Sequence, residues 1–87
     1  MGFSTIYRQR VKVSGDKRAQ ASVECRKFRE QYGHTQAFMA AMVGDGCKQT
    51  MISWVECGHK RAPGWVVQGV LDVIEARKVT EANKEII

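Results

Sequence analysis

Glycine and proline punctuation constrains this chain more sharply than any other feature. Gly33, Gly44-Asp45-Gly46, Gly58 and Pro63 cut the stretch from Ser14 to Lys78 into four segments. Glycine takes left-handed backbone cheaply, and proline suits only the first turn of a helix, so both mark ends rather than middles. Between these stops the apolar residues recur at steps of three and four. Ala21, Cys25, Phe28 and Tyr32 form one face of a helix predicted from about Lys17 to Tyr32, with Ser14 or Asp16 as its cap. Thr35 is placed to cap a short second helix carrying Ala37, Phe38, Ala40, Ala41, Met42 and Val43. A third is predicted from about Lys48 to Glu56, with Met51, Ile52 and Val55 on one side. Gln49, Thr50 and Ser53 fall on the other side, and Trp54 lies on the flank. Pro63 opens a fourth, striped by Val66, Val67, Val70, Leu71, Val73 and Ile74 and ending near Lys78.

Residues 3–13 behave differently. Phe3, Thr5, Tyr7, Gln9, Val11 and Val13 alternate with Ser4, Ile6, Arg8, Arg10 and Lys12, which is a period of two. A lone strand is not stable in water. This segment must therefore pair with a second copy, dock on the helices, or serve as an arm. The expected organisation is a basic N-terminal arm or strand (1–16), a helical domain (17–79) and a C-terminal tail (80–87). A chain of 87 residues buries only about 60% of its unfolded surface and supports one small core. Hydrophobic residues at 44% are enough to exclude a disordered composition.

The net charge of +5 is unevenly spread. Residues 1–18 hold five basic groups and one acid, residues 19–63 six and four, and residues 64–87 three and four. Positive charge in the N-terminal two thirds fits a polyanionic partner, either nucleic acid or an acidic membrane surface. No apolar run approaches the length of a membrane span, and no signal peptide is readable. The three cysteines, Cys25, Cys47 and Cys57, are odd in number and irregular in spacing. That argues for a reduced, cytoplasmic protein without a disulfide framework. Cys57-x-His59 with Cys47 lacks the paired spacing of a zinc site, so no metal is expected. His34 and His59 have no evident carboxylate partner and no phosphate-cradling glycine loop is present. Neither an enzyme, a cofactor nor a small-molecule substrate is therefore expected.

Two short helices separated by a glycine turn, the second with small polar residues outward and apolar ones inward, form the layout of a helix-turn-helix reader. A major groove admits one α-helix and offers a donor and acceptor code at the base edges. The reading face then needs short polar side chains, and the opposite face must be apolar to hold the helix rigidly.

Residues 28–63 resemble the helix-turn-helix domain of the lambdoid phage repressors and Cro proteins, the XRE family. Phe28-Arg29-Glu30-Gln31-Tyr32-Gly33-His34-Thr35-Gln36 is similar to that family's opening "L-R-E-x-x-G-x-T-Q". Ala40 and Gly44 stand four apart, like its helix-2 Ala and turn Gly. Met51-Ile52-Ser53-Trp54-Val55-Glu56-Cys57-Gly58 is similar to its "T-I-S-x-W-E-x-G", and Pro63 follows Gly58 by five. Two departures stand out. The turn is two residues longer, with the extra pair placed at Asp45-Gly46. The Trp is one position early, which puts Val55 in the core position and Trp54 at the edge of the reading face, or turned inward against Cys47 and Tyr32.

The resemblance implies an all-α fold, a compact helix-turn-helix bundle of four to five helices, to which the alternation of residues 3–13 adds an N-terminal arm or short β-strand. It implies base contacts from Gln49, Thr50, Ser53 and Trp54, and phosphate contacts from Gln36, Lys48, Lys60 and Arg61. Gln36 matches the Gln that in some phage repressors holds a phosphate and braces the first Gln of the recognition helix, here Gln49. Arg8, Arg10 and Lys12 serve either a DNA-contacting arm or a dimer strand. The implied function is a sequence-specific regulator that binds double-stranded DNA as a homodimer, most simply a phage-type repressor. An excision factor that bends DNA at direct repeats and an antitoxin-type interaction module are the alternatives.

Overall fold

Three of the four helices start where a side-chain oxygen accepts a backbone N–H left without a helical partner, or where a proline has none to satisfy. The computed structural model describes residues 11–86, with side-chain surroundings for 11–81. Helix α1 spans Gly15–Tyr32, α2 Gln36–Val43, α3 Gln49–Glu56 and α4 Gly64–Ile86. The Ser14 hydroxyl accepts from the Lys17 amide at 3.1 Å, and the Thr35 hydroxyl accepts from the Phe38 amide at 3.0 Å. Ser14, not Asp16, is thus the cap of α1, and Asp16 sits in the first turn, where its charge favours the helix N-terminus. Gly33 closes α1 in the left-handed region, its N–H bonded to the Arg29 carbonyl.

The fold is all-α, and the described residues contain no strand. Residues 11–14 are irregular and run directly into α1. Most of the alternating segment, including Arg8 and Arg10, lies outside the described residues.

The turn between α2 and α3 is more constrained than its length suggests. Gly44, Asp45 and Gly46 all have positive φ, at 73°, 59° and 87°. Gly44 also has ψ of −165°, a region essentially reserved for glycine. Asp tolerates the left-handed region better than most residues. The two-residue extension is therefore a defined turn, stitched by the Cys47 amide to the Gly44 carbonyl at 3.0 Å.

One core is shared by all four helices. Met39 of α2, Ile52 and Val55 of α3, and Val66, Val67 and Val70 of α4 are all at most 1% exposed. Ala21, Cys25 and Phe28 close it from α1. Helix α4 crosses α2 at Gly69, where an added Cβ would lie 2.8 Å from Val43 Cγ1. The small residue thus sets the depth of that crossing.

The sequence reading ends α4 near Lys78 and leaves a tail from Thr80. The helix instead continues to Ile86. No glycine or proline interrupts residues 78–86, so nothing local stops it. Tertiary contacts then hold it: Glu81 accepts from the Tyr32 hydroxyl and pairs with Arg77 at 3.4 Å. The Arg77 guanidinium also lies 4.5 Å from the centre of the Tyr32 ring. No helix among the described residues is long and apolar enough to cross a membrane.

Gly69→Leu should lower stability by about 1–3 kcal/mol through overpacking against Val43. Adding Val43→Ala should recover part of that loss. Urea midpoints of the two single variants and the double variant check this, and simple additivity would contradict the crossing.

Candidate nucleic-acid interface

Helix α3 is presented by α1. Arg18, Ser22, Arg26 and Arg29 recur along α1 at steps of four, four and three, beside its apolar face. All four donate to the C-terminal end of α3 or the loop behind it. Arg18 Nη1 donates to the Ala62 carbonyl at 2.7 Å and to the His59 carbonyl at 3.4 Å. Ser22 Oγ and Arg26 Nη2 donate to the Glu56 carbonyl at 2.5 and 3.3 Å. The last carbonyls of a helix have no partner within it, and they carry its negative end. The stripe satisfies the last of them, at Glu56, and adds favourable charge, while the Cys57, Gly58 and His59 amides take the Ser53, Val55 and Trp54 carbonyls.

Arg29 completes the set through the Glu56 side chain. Its Nε bonds Oε2, and its Nη2 bonds Oε1 at 2.8 Å, a two-pronged pairing. Glu56 is 5% exposed, the one charged residue buried among those described. Gln36 Nε2 also donates to its Oε1 at 3.3 Å, and the Cys25 thiol to its Oε2 at 3.5 Å. Burial by itself would push the Glu56 carboxyl up. The hydrogen bonds from Arg29 and Gln36 and the Arg29 charge outweigh it, so the group titrates below 4.5. Burial first, then the Glu56 charge, pushes the Cys25 thiol up to about 12. Every buried side-chain nitrogen and oxygen among the described residues has a partner.

Held in this way, α3 turns one line of residues outward. Gln49 and Thr50 are exposed, Ser53 is half-exposed and Cys57 exposed. Lys48 is the N-cap, with no side-chain capping bond, and it is exposed. The loop behind α3 is braced. The His59 amide bonds the Trp54 carbonyl at 2.9 Å, and the Arg61 amide donates to His59 Nδ1 at 3.0 Å. Ala62, 1% exposed, anchors it in the core. Lys60 and Arg61 are displayed on this hydrogen-bonded loop, both exposed.

The candidate residues thus fall into groups. Gln49, Thr50 and Ser53 share the outer side of α3, Lys48 is exposed at its N-terminus, and Lys60 and Arg61 lie beyond its C-terminus. Lys12 is exposed near the chain's entry to α1, while Arg8 and Arg10 lie outside the described residues. Trp54 is half-buried and packs against the core. Gln36 is half-buried, with its amide turned to Glu56 rather than to Gln49.

Two features escape a reading by helical stripes. The stripe of α1 was detectable in principle, as three Arg and one Ser at helical spacing beside an apolar face. Its role was not, because surface arginines usually face water. His34, for which the sequence shows no carboxylate partner, joins an aromatic cluster, with ring centroids 4.5 Å from Phe38 and 5.8 Å from Tyr32. Compared with family models, with curated proteins and with solved structures, the chain finds no match in any of the three.

Arg29→Ala should destabilise the protein by about 3 kcal/mol, the lower end for breaking a buried ion pair, since Arg29 remains one-fifth exposed. Glu56 has a folded-state pKa below its ordinary value, so its contribution is present above about 4.5 and lost as pH falls further. Thermal melts from pH 7 to pH 3 should show a steeper acid loss in wild type than in Glu56→Gln. Parallel curves would contradict the network.

Proposed function

We propose that this chain is a sequence-specific double-stranded DNA-binding regulator that reads a major groove with α3. It acts as a homodimer occupying a promoter, in the manner of a phage-type repressor. The observation that carries this reading is the presentation of α3. Its inner side is fixed by the core and the α1 stripe, while Gln49, Thr50 and Ser53 face outward between exposed cations at both ends. Such a helix has the dimensions of a groove, and Gln offers the paired donor and acceptor that adenine matches. Lys48, Lys60 and Arg61 supply phosphate contacts, which position the protein without carrying sequence information.

The dimer is part of the proposal because a single helix-turn-helix buries little DNA surface. Two copies on a two-fold site supply the missing contacts and set the half-site spacing near one helical turn. The resemblance of residues 28–63 to the XRE family points the same way. Half-buried Trp54 then supports α3 from behind its reading line, and Gln36 braces it through Glu56.

Selection of binding sites from random duplex DNA, followed by footprinting, tests the reading. A single palindrome supports the repressor, an array of direct repeats favours the excision factor, and no enriched sequence removes both. Gln49→Ala should weaken binding to the selected site by about 1–3 kcal/mol and relax preference at one base pair. Lys60→Ala and Arg61→Ala should weaken all sequences alike. The plot of log K against log salt should be steeper than about −2, because each neutralised phosphate contributes roughly −0.9.

A further inference from the structure

The side of α1 turned away from the core carries a second stripe. Asp16, Ala19, Val23, Arg26 and Glu30 recur at steps of three, four, three and four, and all five are exposed. At 3.6 residues per turn they lie opposite the buried Ala21, Cys25 and Phe28. Val23, at 53%, is the most exposed large hydrophobic residue among those described. Asp16 and Glu30 form no ion pair among the described residues. Arg26 gives one N–H to the Glu56 carbonyl, a neutral partner that orients the guanidinium and leaves its charge unopposed.

Steps that alternate between three and four make a seam along which two helices pack knobs into holes. The order along this seam is acid, two apolar residues, base, acid. A parallel copy sets Asp16, Arg26 and Glu30 each against itself, which repels. An antiparallel copy, related by a two-fold axis level with Ala21, sets Asp16 against the partner's Arg26 and Ala19 against the partner's Val23. Each contact then occurs twice, and the small Ala19 makes room for the larger Val23. Glu30 reaches the partner's helix N-terminus, where negative charge is favoured. The stripe is thus complementary to itself in one orientation only.

The same orientation suits α3. Arg18, Ser22 and Arg29, which hold the end of α3, lie about a quarter turn round α1 from the seam. The two-fold axis of an antiparallel pair runs across the helices, between them, so whatever flanks one helix stays on the same side of the pair. Both copies of α3 therefore lie on one side, as a two-fold DNA site requires. A parallel pair puts them on opposite sides.

We propose that the outer face of α1 is a self-association surface, whose occupant is α1 of a second copy in antiparallel register. The inference rests on the DNA-binding reading for the need of a dimer, but the pairing itself does not require DNA. A single pair of helices is a small interface, so the free dimer is weak and reversible, and a two-fold DNA site strengthens it.

Sedimentation equilibrium of the full chain measures the pairing. Asp16→Arg and Arg26→Asp should each weaken self-association about tenfold, because each turns two attractions into two repulsions. The double variant Asp16→Arg/Arg26→Asp exchanges the charges and should return to within about threefold of wild type. Val23→Ser, which leaves every charge and every contact to α3 in place, should weaken association about threefold. Helix content by circular dichroism should be the same in all four variants. Wild type that stays monomeric up to its solubility limit overturns the proposal. A dimer indifferent to the single reversals, or not recovered by the exchange, also overturns it and leaves the DNA-binding reading with a different dimer surface. If association follows the charge exchange but selection from random duplex DNA enriches no sequence, the DNA-binding reading falls and this surface stands.

Discussion

The buried Glu56 carboxylate is the constraint on which the geometry of this small protein depends. It receives Arg29 from α1, Gln36 from α2 and the Cys25 thiol from α1, while its own backbone carbonyl receives Ser22 and Arg26. Three helices therefore meet at one residue of α3. A buried ion pair is not an efficient source of stability, and an apolar pair of similar volume often does as well. Its bonds are directional, however, and apolar contact is not. A helix of eight residues held only by Ile52 and Val55 is free to roll a few degrees about its axis. A two-pronged guanidinium on its last side chain and two donors on its last carbonyl remove that freedom.

The turn at residues 44–46 imposes the complementary constraint from the other end of α3. Three successive residues with positive φ fix the path of the chain. Lys48 makes no capping bond, so the N-terminal end of α3 is positioned by the turn and by Ile52. Helix α2 contributes no charge to this arrangement, since Gln36–Val43 contains no ionisable residue. It acts as an apolar spacer between α3 and α4, seated by Met39 and by the approach of Val43 to Gly69.

The helices and their caps were legible in the sequence because their causes are local. Ser14, Thr35, Gly33 and Pro63 act within a few residues of where they stand, and the stripes Ala21-Cys25-Phe28 and Val66-Val67-Val70 follow helical spacing. What was not legible depends on residues far apart in sequence. Glu56 is 27 positions from Arg29, and nothing near either predicts that they meet. The extension of α4 depends on Tyr32, 49 positions from Glu81. Gly69 is required for a reason of space that no pattern of hydrophobicity expresses. At the candidate interface the exposed line of Gln49 and Thr50 follows from helical periodicity alone. The partial burial of Trp54 and the engagement of Gln36 depend on tertiary packing.

The cations divide in a way that a sum of charges hides. Arg29 is neutralised by Glu56, and Arg77 and Lys78 lie 3.4 and 3.9 Å from Glu81 and Glu24. Arg18 and Arg26 differ, because their partners are neutral carbonyls. A guanidinium bonded to a carbonyl keeps its full charge while its side chain loses freedom. These two arginines therefore fix the C-terminal end of α3 and still contribute to the field around it. Lys60 and Arg61 belong to the loop whose His59 and Ala62 carbonyls Arg18 holds. Acidic residues cluster instead along α4, with Asp72, Glu75 and Glu81. The exposed cations Lys60 and Arg61 thus follow the end of α3 that the α1 side chains hydrogen-bond.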